Sequence, residues 1–402
     1  MAHLRPRHAL SLFQNLVQYS PLVGVFGHRQ VGKTTFVSQS GADYVTLDDE
    51  EQLAQAMAGA RAFVAKHGSR RTVIDECQMA PPLFPALKEW VRKHPKPGQF
   101  ILTGSVRFSS RKAIRESLTG RIVSLELYPL VVSELLERDL PDIVPELIRA
   151  RHFDQNTLLG LVAPTKQQAA AWSKYLEQGG LPRLAFTRDE RNRNDLLDSL
   201  LRTILDRDLR MVVETRLSLE TLLKFLRFIA LHAWQVFHYA DARRETGLTE
   251  VTQKRLLFAL ESIFLVRRIP LEGRSGAIFL LNDQLEERFL SRARLEIELQ
   301  VLGALYRNIR AQFGYRSGTS FELESFQLRS GARVPLVIRT DAGELGIIAI
   351  DGSEPTLSQK RSADRFLRDH PRGKIVFAST GTSPAKVWDA RVLSCSAVSL
   401  VL

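Results

Sequence analysis

Cysteine is scarce: the 402 residues contain only Cys77 and Cys395. Two thiols cannot build a disulfide framework, and their scarcity suits a reducing cytoplasm, where this reading expects the chain. No apolar run approaches the ~18 residues that a membrane span needs, so no membrane partner is expected. The opening MAHLRPRHALSLF lacks the continuous apolar core of a secretory leader. Nine histidines fall at no metal-ligand spacing, and no zinc site is expected. Internal repeats and low-complexity linkers are also missing. Acidic residues are in deficit, 44 Asp+Glu against 56 Lys+Arg, which leaves a formal charge of +12. That excess suits a polyanionic partner, with nucleic acid, DNA above all, the leading candidate and an anionic membrane surface second. Arg outnumbers Lys by roughly three to one, which favours bidentate phosphate contact and also fits a plain compositional bias.

What is present is organised. The length exceeds one ordinary domain and suggests about two or three. Residues 1–140 alternate short apolar runs with helical stretches. Runs at 22–26, 44–47, 72–74, 100–102 and 122–127 read as strands, and 50–66 reads as one helix. Such alternation is an α/β pattern and predicts a parallel sheet covered on both faces. Residues 141–285 turn helical, with helices expected over 222–234 and 251–262. Two strand-like runs follow at 264–269 and 277–281. Three helices and a two-stranded wing outline a winged helix-turn-helix. Residues 286–402 read as α+β, with strands near 321–328, 334–339, 345–350 and 375–378 and a helix over 357–369.

The most specific signal is Gly27-His28-Arg29-Gln30-Val31-Gly32-Lys33-Thr34. It has a glycine, four residues, then Gly-Lys-Thr, after an apolar strand and before a helix. The glycines let backbone N–H groups wrap phosphates, and the helix start adds a positive dipole end. Gly27, Gln30, Val31, Gly32, Lys33, Thr34 and Thr35 are therefore the expected ATP-binding residues. His28 reads as a variable position of the loop. Lys33 would reach the β- and γ-phosphates, and Thr34 would ligate Mg²⁺. Such a loop needs an acidic partner at another strand end. Thr72-Val73-Ile74-Asp75-Glu76 supplies Asp75 for the metal and Glu76 to polarise the attacking water. The strand at 100–102 ends in Thr103-Gly104-Ser105, where Thr103 is favoured over Ser105 as a γ-phosphate sensor. Transfer also needs positive charge on that phosphate. Arg107, Arg111, Arg115 and Arg121 are candidates, and Arg121 is preferred, acting in cis or toward a neighbouring subunit.

These stretches resemble a family. GHRQVGKTT, YVTLDD, TVIDECQMAPPLFPALK, FILTGS and LTGRIVSLELYPL are similar to prokaryotic AAA-type ATPases that carry a winged helix and a C-terminal restriction-endonuclease-like domain. LEQGGLPRLA and LLRTILDRDL are similar to that family's middle region. The resemblance implies ATP hydrolysis at Lys33, Thr34, Asp75 and Glu76, with Arg121 on the family's Gly-Arg motif. It also implies a homo-oligomer, as a ring. The nuclease-like domain departs from its pattern. Pro335 stands where an acid is expected, and Ala349 and Asp351 stand where Glu and Lys are expected. A nuclease-dead fold kept for binding or assembly is the expectation.

Basic residues cluster around the expected winged helix. Arg243-Arg244 precede the expected recognition helix, Lys254-Arg255 lie on it, and Arg267-Arg268 lie on the first wing strand. They are the expected nucleic-acid contacts. Two functions compete. One is an oligomeric ATPase that moves or remodels duplex or branched DNA. The alternative is a nucleotide-dependent switch that assembles with protein partners in signalling or defence. Cys77 beside Glu76 reads as a small buried residue.

Overall fold

The structure, a computed structural model, describes residues 4–107 and 120–402. Arg111 and Arg115 lie outside the described residues. Five parallel strands form the first sheet: β1 (Leu22–Phe26), β2 (Asp43–Thr46), β3 (Thr72–Asp75), β4 (Phe100–Gly104) and β5 (Ile122–Glu126). Their spatial order is β2-β3-β4-β1-β5. Side chains alternate across it. Leu22, Ile74, Phe100 and Leu102 pack one way, against Phe63, Leu83 and Phe84. Val23, Val25, Val73 and Ile101 pack the other way, against Phe13, Leu16 and Phe36. Burial on both faces is why the strands read as continuous apolar runs.

The helix expected over 50–66 is two helices, Glu50–Ala58 and Ala60–His67. Gly59, at φ −149° and ψ +60°, ends the first and starts the second. Asp49 caps the first by accepting from Gln52 N–H at 2.9 Å. The helix Ala9–Tyr19, absent from the sequence reading, covers the sheet near β1 and β5. It begins at His8 with no side-chain cap, so little in the sequence announces it.

Helices Lys166–Gln178, Glu190–Thr203, Leu219–Leu231, Tyr239–Thr246 and Glu250–Ser262 fill the middle of the chain. Strands β6 (Val266–Glu272) and β7 (Ala277–Leu281) follow as an antiparallel hairpin. This hairpin is not a free wing. β6 also pairs in parallel with β8 (Phe321–Gln327), through Leu271↔Ser325 and Glu272↔Phe326. The pairing builds one eight-stranded sheet with β9 (Arg333–Thr340), β10 (Gly343–Ile350), β11 (Gly373–Ser379), β12 (Lys386–Asp389) and β13 (Val392–Ser396). Its order is β12-β13-β11-β10-β9-β8-β6-β7. The boundary expected at 285 therefore falls beside a continuous sheet.

An 18-residue helix, Ile297–Gly314, packs on one face of that sheet, with Leu302, Leu305 and Ile309 against Leu336, Ile338 and Ile347. The helix Leu357–Asp369 covers the other face with Ala363, Phe366 and Leu367. The long helix is buried from Val301 to Phe313, including Arg307, Asn308, Arg310 and Gln312. Polar residues on its buried faces erase the amphipathic stripe that would have revealed it. It also reaches the first sheet. Asn308 Oδ1 accepts from Val132 N–H and Tyr315 Oη accepts from Tyr128 N–H, each at 2.9 Å.

Candidate nucleotide-phosphate site

The loop 27–32 leaves the C-terminal end of β1 and enters the helix Lys33–Ser38. Gly32 has φ +94°, a left-handed conformation that suits glycine. At Gly27 a Cβ would sit 2.3 Å from the Leu127 carbonyl oxygen, so only glycine fits this close approach. Lys33 is buried, and its Nζ donates to the carbonyls of Gly27 (3.1 Å) and His28 (3.0 Å). Burial lowers the Lys33 pKa, opposed by the charges of Glu76 and Asp75. Gln30, Thr34 and Thr35 are exposed along the loop and the first helical turn, and Val31 is fully buried.

The ends of β3 and β4 face this loop. Asp75 collects four donors. Thr34 Oγ1 donates to Oδ2 at 2.9 Å, and Tyr44 Oη, from β2, donates to the same oxygen at 2.5 Å. Thr103 Oγ1, from β4, and Glu76 N–H donate to Oδ1. β4 lies between β1 and β3, so Thr103 stands between the loop and the acidic pair. Tyr44 was not singled out by the sequence reading. Burial and its bond to Asp75 push its hydroxyl pKa up to about 12.

Glu76 sits in the left-handed region at φ +53° and is half-buried. Backbone in that region is costly for a non-glycine residue and marks a site to inspect. Gln78 donates to its Oε2. Burial raises the Glu76 pKa, with the nearby Lys33 charge opposing. Cys77 is a free, fully buried thiol, and burial pushes its pKa well up.

His28, inside the loop, points into the core. It is fully buried, with Nε2 2.9 Å from Glu286 Oε1, itself fully buried on the helix Gln284–Leu290. Burial alone would lower its pKa, but Glu286 reverses the shift and the imidazole is raised. Arg7 braces the loop from outside, donating to the Val31 carbonyl at 3.1 Å and the Tyr128 carbonyl at 2.6 Å. Arg29 Nη1 pairs with buried Asp208 at 3.1 Å. The fragment LLRTILDRDL thus reaches the loop directly. From LEQGGLPRLA, Pro182 Cγ lies 3.7 Å from the Cβ position of Gly32.

Arg121 lies elsewhere. β5 runs parallel to β1 with Leu22↔Ile122 and Phe26↔Glu126 in register. The loop leaves after Phe26, so Arg121, which precedes Ile122 and is exposed, stands at the opposite end of the sheet. That placement sets Arg121 a strand's length away from the loop of its own chain. Arg267 is also displaced from its expected role. It is buried on β6 and bonded to Glu126, together with Arg310. Burial, then the Arg310 charge, lowers its pKa to about 10. Arg243, Arg244, Lys254, Arg255 and Arg268 remain exposed. Lys254 pairs with Glu250 at 2.6 Å and Arg244 with Asp241 at 2.5 Å.

In the C-terminal sheet Ala349 is buried and Pro335 half-buried. Asp351 is exposed and accepts from Thr380 Oγ1 at 3.1 Å. Among the described residues no three His, Cys, Asp or Glu side chains gather to hold a metal, and no helix is long and apolar enough to cross a membrane. Magnesium does not need such a gathering. It commonly uses one or two protein oxygens and completes its shell with water and substrate phosphates. Thr34 and Asp75 form a donor set of that kind.

Comparison with known proteins agrees with the loop. Residues 19–136 match the AAA domain family, and residues 169–276 match a domain of unknown function. Uncharacterized proteins of Mycobacterium bovis and Mycobacterium tuberculosis are each 26% identical over 295 residues, covering 71% of this chain. The match covers 59% of each relative, so this chain spans about three-fifths of their length. Among solved structures, a Walker-type ATPase of Pyrococcus abyssi is similar at 14% identity and TM-score 0.41, over 72% of this chain and 99% of that one. A signal transduction ATPase with numerous domains and a tetratricopeptide repeat sensor, from Pyrococcus horikoshii, is similar at 13% identity and TM-score 0.28. That likeness covers 77% of this chain and 48% of that one. The AAA domain match over 19–136 falls on the parallel sheet that opens into the Gly-Lys-Thr loop, and supports a P-loop ATPase domain over those residues.

Proposed function

We propose that the chain binds Mg²⁺-ATP at the loop 27–34 and hydrolyses it to ADP and phosphate. One observation carries this reading: Asp75 gathers the hydroxyls of Thr34 and Thr103 from either side of the loop's exit. A hydroxyl that gives its proton to a carboxylate turns its lone pairs outward. Thr34 is thereby set to offer an oxygen to a metal, with Asp75 behind it holding metal-bound water. Bound Mg²⁺ would neutralise phosphate charge during transfer.

The protein's share is positioning and charge. Phosphate oxygens would replace the Gly27 and His28 carbonyls as partners of the Lys33 ammonium. Glu76 accepts a proton from a water as the water oxygen bonds to the γ-phosphorus. The bond from that phosphorus to the bridging oxygen breaks, and ADP leaves with the electron pair. A raised carboxylate pKa makes Glu76 a stronger base than an exposed glutamate. Thr103 is the polar group between loop and base, suited to register the γ-phosphate.

The experiment is a pair of variants. Lys33→Ala loses nucleotide binding in an equilibrium titration. Glu76→Gln still binds ATP, and its turnover drops by roughly 10²–10⁴-fold, the share of a positioned base. Normal turnover in Glu76→Gln would overturn the base assignment.

The exposed basic residues favour a second reading, contact with DNA through Arg243, Arg244, Lys254, Arg255 and Arg268. Phosphate contacts of this kind predict affinity that falls steeply with salt and an ATPase rate raised by DNA. A flat salt response and an unchanged rate would favour a switch that assembles with protein. We propose binding or assembly for the C-terminal sheet, and self-association that brings Arg121 to a neighbouring subunit's site. An Arg121→Ala subunit mixed with a Lys33→Ala subunit tests that placement through the activity of the mixture.

A further inference from the structure

The helix Glu250–Ser262 turns Gln253, Leu256, Leu257 and Leu260 inward. Its solvent face carries Val251, Lys254, Arg255 and Phe258, at the i, i+3, i+4 and i+7 spacing of a single stripe. Two of these are apolar and open: Val251 is 70% exposed and Phe258 is 56% exposed. They stand two turns apart, ~10 Å along the axis. A lone exposed apolar residue is ordinary. A pair on one stripe with two cations between them is a surface of defined chemistry.

The cations are loosely engaged. Lys254 Nζ meets Glu250 at 2.6 Å and lies 5.2 Å from the Tyr239 ring centre. Arg255 donates to the Glu214 carbonyl at 3.4 Å. Exposed contacts of this kind are worth little, and a phosphate can replace them. Glu261, three positions past Phe258, senses the charge of Arg268, which sets that exposed cation near the same end of the helix. Arg243 and Arg244 are exposed on the neighbouring helix Tyr239–Thr246. The hairpin expected as a wing does not share this work. β6 is tied to β8 as well as to β7, so the hairpin belongs to a sheet and is not free to lie along a groove.

A duplex stacks its bases on one another and offers a protein only their edges. An unpaired base offers a flat face, which an aromatic side chain can take while nearby cations follow the backbone. We propose that this face binds single-stranded DNA, with an unpaired base stacked on Phe258, a second base against Val251, and the phosphates between them on Lys254 and Arg255. The assignment rests on the DNA reading above and narrows it to DNA whose strands are apart. An anionic bilayer would meet the same cations, but one ring and one isopropyl group are a small apolar area to insert.

The test uses the full chain and three probes at one salt concentration. They are an oligo-dT of about 16 nucleotides, a duplex of the same length, and vesicles of phosphatidylserine with phosphatidylcholine. Oligo-dT should bind at least ~tenfold tighter than the duplex. Phe258→Ala should weaken oligo-dT binding by roughly 5- to 100-fold, the share of one stacked base, and leave duplex binding within about twofold. Phe258→Trp should keep the affinity, and oligo-dT should quench the new indole. Phe258→Leu, apolar without a flat ring, should lose affinity as alanine does. The side chain lies outside the core, and melting curves confirm that these variants fold. Replacing Lys254 and Arg255 together by alanine should lower the salt slope for oligo-dT by about 1.4, from ~0.7 per phosphate contact. Parent-like oligo-dT binding by Phe258→Leu overturns the stacking assignment. Equal affinity for duplex and oligo-dT, indifferent to Phe258, also overturns it and leaves the DNA reading standing. Binding of neither DNA removes that reading and the assignment with it. Vesicle binding that needs Phe258, without binding of oligo-dT, gives the face to a membrane surface instead.

Discussion

Asp75 and Glu76 are neighbours in sequence with different surroundings. Asp75 accepts four hydrogen bonds, whereas Glu76 has one bond from Gln78 and a strained backbone. The difference divides their chemistry, one carboxylate fixed for a metal's water shell and the other kept basic. A pH prediction follows for Glu76. A base works only when deprotonated, and burial raises its pKa. Hydrolysis should therefore fall on the acid side while exposed carboxylates are still ionised. A pH–rate profile checks this, and Glu76→Asp should move the acid limb. Tyr44→Phe removes one donor from Asp75 without touching the fold's core. It should weaken Mg²⁺-dependent ATP binding by roughly tenfold, given about 1.5 kcal/mol for a hydrogen bond to a charged group. A titration of Mg²⁺ against ATP affinity measures it.

At the scale of elements, the sequence was most legible where one element carries its own signal. β1 and the helix after the loop begin and end where the apolar run and the Gly-Lys-Thr motif set them. The helix Leu357–Asp369 was equally plain, with a capping box from Thr356 to Gln359. Legibility failed where distant residues decide. His28 looks like any loop residue until Glu286 is folded against it, some 258 positions later in the chain. Asp208 and Arg29 are joined in the same way. The His28–Glu286 pair gives a stability prediction. Removing one member of a buried pair leaves an uncompensated charge and costs about 3–5 kcal/mol, so His28→Ala should lower the melting temperature sharply. The raised His28 pKa fixes the sign with pH. The pair's contribution is full below the ordinary histidine value and fades as pH rises through the folded-state value. Denaturant melts from pH 5 to 9 check this, and the slope should vanish in a His28→Ala, Glu286→Ala double variant.

At the scale of the molecule, the sheet shared across residue 285 governs how the chain can be divided. β6 is hydrogen-bonded to β7 on one side and β8 on the other, and the helix Ile297–Gly314 sends Arg310 to Glu126 at the end of β5. A chain ending at residue 285 would lose Glu286 beneath His28 and expose the edge of β6. It should be less stable and aggregate, since an unpaired strand edge is a template for association. Expression of residues 1–285 beside the full chain, followed by sedimentation and melting, tests this. A domain map drawn from composition could not foresee the continuity, because the two pairs that join β6 to β8 leave no local pattern.

The buried anchorage of His28 also bears on kinetics. A loop whose inner side chain is pinned from beneath and whose outer carbonyl is held by Arg7 has few shapes to search before a ligand arrives. Association should then be limited by encounter more than by rearrangement, and affinity is spared the entropy of ordering a floppy strand–helix joint. The anchor is supplied by a residue far along the sequence, Glu286. Swapping the C-terminal half for that of a relative should therefore slow the arrival of nucleotide, even with every residue of the loop preserved.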